Sequence, residues 1–338
     1  VWGTWNYTGN HKADIISNSW GISEWPLWLL GLPCYDLLTI IEDALMIPGY
    51  LDPNYPGTVV VHAGGNGAPG YGTFTSPGYA TLPISVGAST SFGTTASSLF
   101  GIGGGYFDDV ISWSATGPTP LGNAKPDVVD VGAWAWVSGP VWSGLGEGWN
   151  ATDYFGGTSM ATPLTSGSVA LLIQGFTEAH GSKPTPETAK AILKSAAKDL
   201  GYDAFLQGSG RVDCFAAVSL ALKRSGVTVV SPVSWGNVRP RIQYAWSTAN
   251  GFFGQPLQSS PPSGPNNDVG WFAGAVRPGN STSAEFTITN PTNDTITATI
   301  RPVVYKQIGA TAVYSGKTGP LKGWLEGYGG QFTIDVSQ

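Results

Sequence analysis

Short apolar segments alternate with helical segments between residues 13 and 223, and this alternation constrains the fold more than any other feature. Four segments have the apolar, β-branched composition of buried strands: 13–21, 58–63, 84–88 and 128–131. Four others have the pattern of helices: 35–47, 159–180, 186–199 and 212–223. Because strands that alternate with helices form parallel sheets covered on both faces, the sequence predicts an α/β fold.

The pattern changes near Val227. Beyond it, polar and apolar residues alternate with the period of strands in 283–289 and 295–300, and 290–294 is predicted to be the turn between them. We therefore predict two domains. An α/β domain occupies residues 1–226, and an antiparallel β-sandwich module, cut short at its C-terminal end, occupies residues 227–338.

Composition excludes some classes of partner. Hydrophobic residues make up 41% of the 338 residues, which is enough for a large core, whereas charged residues make up only 11%. The net charge of −6, with no cluster of Lys and Arg, argues against nucleic acid. No segment is predicted to span a membrane, since the most apolar stretch, 25–38, is short and contains Pro26 and Pro33.

The octapeptide Gly-Gly-Thr-Ser-Met-Ala-Thr-Pro at 156–163 sets Ser159 among small residues, just before a helical run. At the start of a helix, the N–H groups of the first turn create a positive potential. This environment suits a nucleophile whose attack creates an oxyanion, and Ser159 is the candidate. For a bare Gly-Thr-Ser, the alternative is a glycine turn followed by an N-capping serine.

The full octapeptide resembles the nucleophile motif of the subtilisin-like serine proteases, the subtilases. Other segments that resemble this family are 59–67, 114–118, 125–129 and 208–213. The resemblance covers about 13–223 and implies a serine endopeptidase with a subtilisin-like parallel sheet and helices on both faces. The tail resembles the Fn3-like module of pyrolysin-type and cell-envelope subtilases. One departure is Asp130-Val131-Gly132, which stands where the family usually has Ala-Pro-Gly.

The resemblance also implies an oxyanion hole. Its donors are the side-chain amide of Asn66 and the backbone N–H of Ser159, because acyl transfer needs donors aimed at the developing charge. Asn66 lies in a Gly-Asn-Gly run, which also occurs as a simple turn.

Two further segments resemble the walls of the subtilase substrate cleft. Ser19, Trp20 and Gly21 would pair with the substrate backbone as an added strand, with Trp20 as an apolar wall. An ordinary core tryptophan is the alternative for Trp20. The segment Ala63, Gly64 and Gly65 would form the other wall of the first specificity pocket, where glycines suggest room for a large substrate side chain.

The partners that a catalytic serine needs are missing from this sequence. A histidine must take its proton and an acid must orient that histidine, and the family places both upstream of Ser19. No His-Gly-Thr or Asp-Thr-Gly run occurs, and His11 has the wrong surroundings. His62 is predicted to be a core histidine, and His180 lies at a helix end. The family's first strands are missing too, which predicts an open apolar edge of the sheet.

Three interpretations follow. The first is the serine-bearing chain of a nicked extracellular subtilase, which acts on polypeptides and receives Asp and His from a separate N-terminal chain of the same precursor. The second is a catalytically inactive subtilase-fold component of a cell-surface layer or filament, with other cell-surface proteins as partners. The third is a truncated form of a longer chain. The start at Val1 rather than Met is read as a processed or trimmed end.

Cysteines and sequons bear on the extracellular interpretation. Cys34 and Cys214 allow either two buried thiols or one disulfide, and their number does not decide between these. Candidate glycosylation sites of the form N-x-[ST] occur at Asn6, Asn150, Asn280 and Asn293. The family resemblance allows calcium, but no loop of oxygen ligands is apparent, and no metal ligands are predicted.

Overall fold

A computed structural model describes residues 13–22, 37–50, 53–68, 70–90, 108–119, 123–138, 152–230, 281, 286–297, 306–310 and 330–333. Its central sheet contains β1 (Ile15–Asn18), β2 (Val59–Ala63), β3 (Ile84–Thr90) and β4 (Val128–Ala133), hydrogen-bonded in that order. Each neighbouring pair is parallel. The four predicted strands and their parallel arrangement are confirmed, and β3 and β4 extend further than predicted. β1 is shorter than the predicted segment 13–21, and three of its four residues are half-buried or exposed where a buried strand was predicted.

Helices cover both faces of this sheet. They are α1 (Leu37–Met46), α2 (Thr158–His180), α3 (Pro186–Ser195), α4 (Ala204–Gln207) and α5 (Cys214–Ala221). In β2, Val59 and Val61 pack in a core with α2, α3 and α5, whereas Val60 packs with α1. Because alternate side chains of a strand point to opposite faces, one strand serves both cores. Burial of each such side chain stabilises the fold by about 1.5–3 kcal/mol.

Local signals in the sequence fix the helix ends. Gly181 adopts the left-handed conformation (φ 73°) and ends α2. Thr185 and Asp213 cap the N-termini of α3 and α5 through their side chains. The predicted end of α3 at residue 199 is wrong, because Lys198 exchanges backbone hydrogen bonds with Arg211 (2.7 and 2.8 Å) and cannot continue the helix.

Three antiparallel strand pairs complete the described structure. β5 (Ala135–Ser138) pairs with β6 (Thr152–Phe155), which leads into α2 and was not predicted. In the tail, β7 (Thr228–Val230) pairs with β8 (Thr287–Thr289), and β9 (Lys306–Ala310) with β10 (Gly330–Thr333).

The tail confirms one local prediction and corrects another. The turn at 290–294 is present, and the side chain of Asn290 accepts the N–H of Thr292 (2.9 Å). The predicted pairing of 283–289 with 295–300 is wrong where the structure describes it, because β8 pairs with β7 and residues 295–297 are not in a strand. Residues 283–285 and 298–300 lie outside the described part of the chain. The division at residue 227 and the Fn3-like module stay predictions.

Candidate active site

The turn before α2 presents Ser159. Gly157 precedes the helix with φ 131°, a conformation that favours glycine, and its N–H donates to the carbonyl of Gly132 at the end of the sheet (2.7 Å). The ring of Trp134 fills the space beside Gly156, so a side chain at that position would clash with it. Ser159 is therefore the second residue of α2, half-buried, on a turn that is fixed from both sides.

Ser159 and Ser19 exchange two hydrogen bonds across 140 residues of sequence. The Ser159 hydroxyl donates to the carbonyl oxygen of Ser19 (3.1 Å), and the Ser19 hydroxyl donates to the carbonyl oxygen of Ser159 (2.8 Å). Ser19 directly follows β1, so the first residue of the predicted substrate-pairing segment lies against the candidate nucleophile.

Asn66 reaches the same turn from the end of β2. Its Oδ1 accepts hydrogen bonds from the backbone N–H (2.9 Å) and the hydroxyl (3.0 Å) of Thr158. That hydroxyl accepts in turn from the N–H of Gly65 (3.2 Å). With Oδ1 occupied, the amide nitrogen Nδ2 is the end of Asn66 that can donate to a further group.

Nδ2 and the backbone nitrogen of Ser159 border one small space. The position that a Cβ atom would take on Gly157 lies 3.3 Å from Asn66 Nδ2, 3.4 Å from Ser159 N and 3.7 Å from Ser159 Cβ. The two predicted oxyanion donors are therefore brought together beside the serine. This arrangement can stabilise negative charge on an atom bonded to Ser159 Oγ.

The two predicted walls of the substrate cleft are held by one loop. The N–H of Ile22, next to Gly21, donates to the carbonyl of Ser76 (2.9 Å), and Gly64 accepts from the N–H of Thr75 (3.3 Å). Trp20 is 42% exposed, so it is not an ordinary core tryptophan.

The glycine wall is closely packed. A Cβ atom on Gly64 would lie 2.7 Å from the ring of Phe74. A Cβ atom on Gly65 would lie 2.9 Å from Thr75 Oγ1. No side chain would therefore fit at either glycine, and the room for a large substrate side chain beside this wall stays a prediction.

The histidines of the described chain do not contact Ser159. His62 is fully buried, as predicted for a core histidine; its Nδ1–H donates to the carbonyl of Ala63 (2.8 Å) and its Nε2 faces Glu42. Burial lowers the pKa of His62 to about 4. His180 is the last residue of α2, roughly 30 Å along the helix from Ser159 at 1.5 Å per residue. His11 lies outside the described residues.

A buried carboxyl group lies between β4 and α2. Asp130, at the position of the family's alanine, accepts from the N–H of Val131 (2.8 Å) and from the hydroxyl of Thr165 on α2 (3.0 Å). Burial raises the pKa of Asp130 to about 6, in spite of these hydrogen bonds and the charge of Arg211. Asp130 was noticed in the sequence only as a departure, because its contact with Thr165 joins two elements that are distant in sequence.

Sequence reasoning missed a second buried charge cluster. Asp127, on the segment 125–129, forms ion pairs with Lys125 (2.6 Å), Lys190 (3.0 Å) and Lys194 (3.1 Å). Burial raises the pKa of Asp127, but the three ammonium groups outweigh it and hold the pKa well below its usual range. Lys125 and Lys190 are fully buried and also donate to backbone carbonyls between Thr81 and Pro83. This cluster anchors the start of β3 and not the site of Ser159.

The remaining predicted sites are only partly described. Cys214 is the half-buried first residue of α5, but Cys34 lies outside the described residues, so their disulfide stays a prediction. Asn293 is exposed, whereas Asn6, Asn150 and Asn280 lie outside. In the described ranges, no group of three or more His, Cys, Asp and Glu residues could hold a metal ion, and calcium stays an expectation from the family resemblance. The described helices include none that is long and apolar enough to cross a membrane.

Comparison with known proteins identifies the family. The sequence profile of the Subtilase family matches residues 3–211, which is more than half of the chain. The chain belongs to the subtilase family. The subtilisin-like α/β fold implied by the octapeptide is thereby confirmed.

Two curated subtilases that are similar to this chain are longer than its 338 residues. Pyrolysin of Pyrococcus furiosus is 32% identical over 251 residues, which are 68% of this chain and 17% of pyrolysin. Serine protease AprX of Bacillus subtilis is 32% identical over 164 residues, 46% of this chain and 34% of AprX. The prenylagaramide maturation protease PagA is a similar solved structure, with a TM-score of 0.41, 20% identity and 64% of both chains covered. The chain therefore spans about a third or less of the curated relatives it matches.

Proposed function

We propose that this subtilase chain carries the nucleophile and the oxyanion hole of an extracellular serine endopeptidase. The observation that supports this most is the common space bordered by Asn66 Nδ2 and Ser159 N, next to the side chain of Ser159. A turn that merely capped α2 would not need a side-chain amide oriented in this way. Polypeptides are the proposed substrates, because Ser19 to Gly21 offer backbone groups for an added strand.

In the proposed reaction, Ser159 Oγ attacks the scissile carbonyl while its proton passes to a histidine. The negative charge that develops on the substrate oxygen lies between Asn66 Nδ2–H and Ser159 N–H. Before attack, the Ser159 hydroxyl must exchange its hydrogen bond to the Ser19 carbonyl for one to the base. The same histidine then donates its proton to the leaving amine, which completes acylation.

We further propose that a separate N-terminal chain of the same precursor supplies this histidine and its aspartate. The sequence has three histidines, and the contacts of His62 and His180 leave neither as a base for Ser159. Within the described residues, β1 pairs only with β2, so its other edge can accept a strand. Leu164 and Leu171 lie seven residues apart on α2 and are 46% and 51% exposed, which offers apolar surface to the same partner.

A serine-directed probe tests the nucleophile. The natively purified assembly should react with a fluorophosphonate at Ser159, and Ser159→Ala should abolish the labelling. Ser168→Ala is the matched control, because Ser168 lies on the same helix and its hydroxyl donates to the carbonyl of Leu164 (3.1 Å). Labelling that persists in Ser159→Ala would place the nucleophile elsewhere.

Electrophoresis tests the partner chain. Native purification should retain a second polypeptide, which denaturing electrophoresis separates and peptide sequencing identifies by a His-Gly-Thr run. A chain of residues 1–338 that is monomeric, cooperatively folded and inert to the probe would refute the split protease. That result would support the inactive component of a cell-surface layer or filament.

A further inference from the structure

The wall residue Trp20 rests on a buried histidine. The indole of Trp20 meets the imidazole of His62 edge to face, with 5.3 Å between ring centroids and 79° between ring planes. Trp20 is 42% exposed, whereas His62 is fully buried. One side of the indole therefore faces solvent and the other is supported by the imidazole.

One hydrogen bond orients the ring of His62. Nδ1 lies 2.8 Å from the carbonyl oxygen of Ala63 and must carry the hydrogen, because a carbonyl only accepts. Nε2 lies 3.6 Å from Glu42 Oε1, and the same oxygen accepts from Asn18 Nδ2 (2.7 Å). Since burial lowers the pKa of His62 to about 4, the ring is neutral at pH 7. The hydrogen bond to Ala63 therefore orients the imidazole, which also contacts the indole of Trp20 and lies near Glu42 of α1.

The register of the sheet explains how His62 reaches both walls. Asn18 on β1 lies opposite His62 on β2, and Trp20 lies two residues beyond Asn18, past the end of the strand, where its ring contacts that of His62. In the other direction, His62 directly precedes Ala63, the first residue of the glycine wall. One buried residue therefore joins the two sides of the proposed cleft.

We propose that His62 is a positioning residue that sets the indole of Trp20, and with it the width of the substrate pocket between Trp20 and the 63–65 wall. The proposal rests on the proposed function, in which Trp20 lines the cleft. Packing alone would favour an apolar residue at position 62, because a buried polar group costs stability unless it is hydrogen-bonded. The hydrogen bond from Nδ1–H to the Ala63 carbonyl instead fixes one orientation of a flat ring beneath the indole.

Fluorine NMR tests the positioning directly. The assembly is labelled with 5-fluorotryptophan, and the resonance of Trp20 is assigned with Trp20→Phe. His62→Ala should shift this resonance, because the indole loses its support, and His62→Phe should shift it less, because a ring remains. Val61→Ala is the matched control, since Val61 is the preceding residue of β2 and packs on the opposite face of the sheet. An unmoved resonance in His62→Ala overturns the proposal.

Substrate preference tests whether His62 sets the width of the substrate pocket. Values of kcat/KM are compared for peptides that differ only in one side chain, from alanine to phenylalanine, at the residue that precedes the scissile bond. An edge-to-face aromatic pair is worth roughly a two- to tenfold change in an equilibrium constant, so His62→Ala should shift the Phe/Ala ratio by that factor towards phenylalanine. His62→Phe and Val61→Ala should keep the wild-type ratio.

The outcomes separate this inference from the proposed function. A wild-type assembly that hydrolyses the peptides, with an unchanged ratio in His62→Ala, overturns the role of His62 and leaves the protease intact. A wild-type assembly that hydrolyses none of them refutes the protease. In that case the fluorine shift alone supports or overturns the positioning of Trp20 by His62.

Discussion

Asp130→Asn should stabilise the protein at neutral pH and leave its stability unchanged in acid. The asparagine can keep both contacts of the native side chain, since its oxygen can accept from the N–H of Val131 and its NH₂ can donate to the Thr165 hydroxyl. The substitution therefore removes a buried charge without removing a hydrogen-bonded pair.

The magnitude follows from the pKa. Burial raises the pKa of Asp130 from 3.8 to about 6, roughly two units, and each unit corresponds to about 1.4 kcal/mol, which gives about 3 kcal/mol in total. Below pH 4 both the folded and the unfolded protein carry the proton. Between pH 4 and 6 only the unfolded protein loses it, so wild-type stability falls as the pH rises. Above pH 6 the difference in unfolding free energy between Asp130→Asn and the wild type stays constant.

Urea denaturation at several pH values between 4 and 8 measures this difference. A Ser159→Ala background prevents self-cleavage of the native assembly during the measurement. Asp14→Asn is the matched control, because it removes only an exposed ion pair with Lys183 and should change stability by less than about 1 kcal/mol at any pH. A stability gain of Asp130→Asn that does not vary with pH, or a loss at pH 8, would refute the reasoning.

Three further results are expected. Asn66→Ala should lower kcat about 10²–10³-fold with little change in KM. Asn66→Asp should lower kcat as much, although the aspartate can still accept both hydrogen bonds from Thr158. An unchanged kcat would show that Asn66 only shapes the turn. Asp127→Asn should lower the free energy of unfolding by about 3–5 kcal/mol, because it leaves buried lysines without a counter-ion, and denaturation showing under 1 kcal/mol would contradict this. Peptide mapping without reductant should find Cys34 joined to Cys214, and two free thiols would disprove the pairing.

The sheet and its helices could be predicted because their signals are local. The run Val59 to Val61 is apolar over consecutive residues, which marks a strand covered on both faces. The pairing of β8 could not be predicted in the same way, since Thr287–Thr289 bonds to Thr228–Val230 and not to the segment just beyond its own turn. The end of α3 was missed for the same reason, because Arg211 competes for Lys198 across a distance in sequence.

In the candidate site, too, residues in local motifs could be predicted and contacts distant in sequence could not. Ser159 and Asn66 could be found because each lies in a short motif of small residues, and the structure brings their donors together. The surroundings of His62 could not be found, because Glu42 reaches it from a helix on the far side of β2. Asp130 was visible only as a departure from the family pattern, and its effect depends on burial, which no local pattern specifies.

The exchange of hydrogen bonds between Ser19 and Ser159 couples the edge of the sheet directly to the candidate nucleophile. Ser19 is the residue that follows β1, and its hydroxyl and carbonyl both grip Ser159. A displacement of β1 would be transmitted to Ser159 through these hydrogen bonds of 2.8 and 3.1 Å. A polypeptide bound along the outer edge of β1 would therefore change the position of Ser159 from outside the cleft.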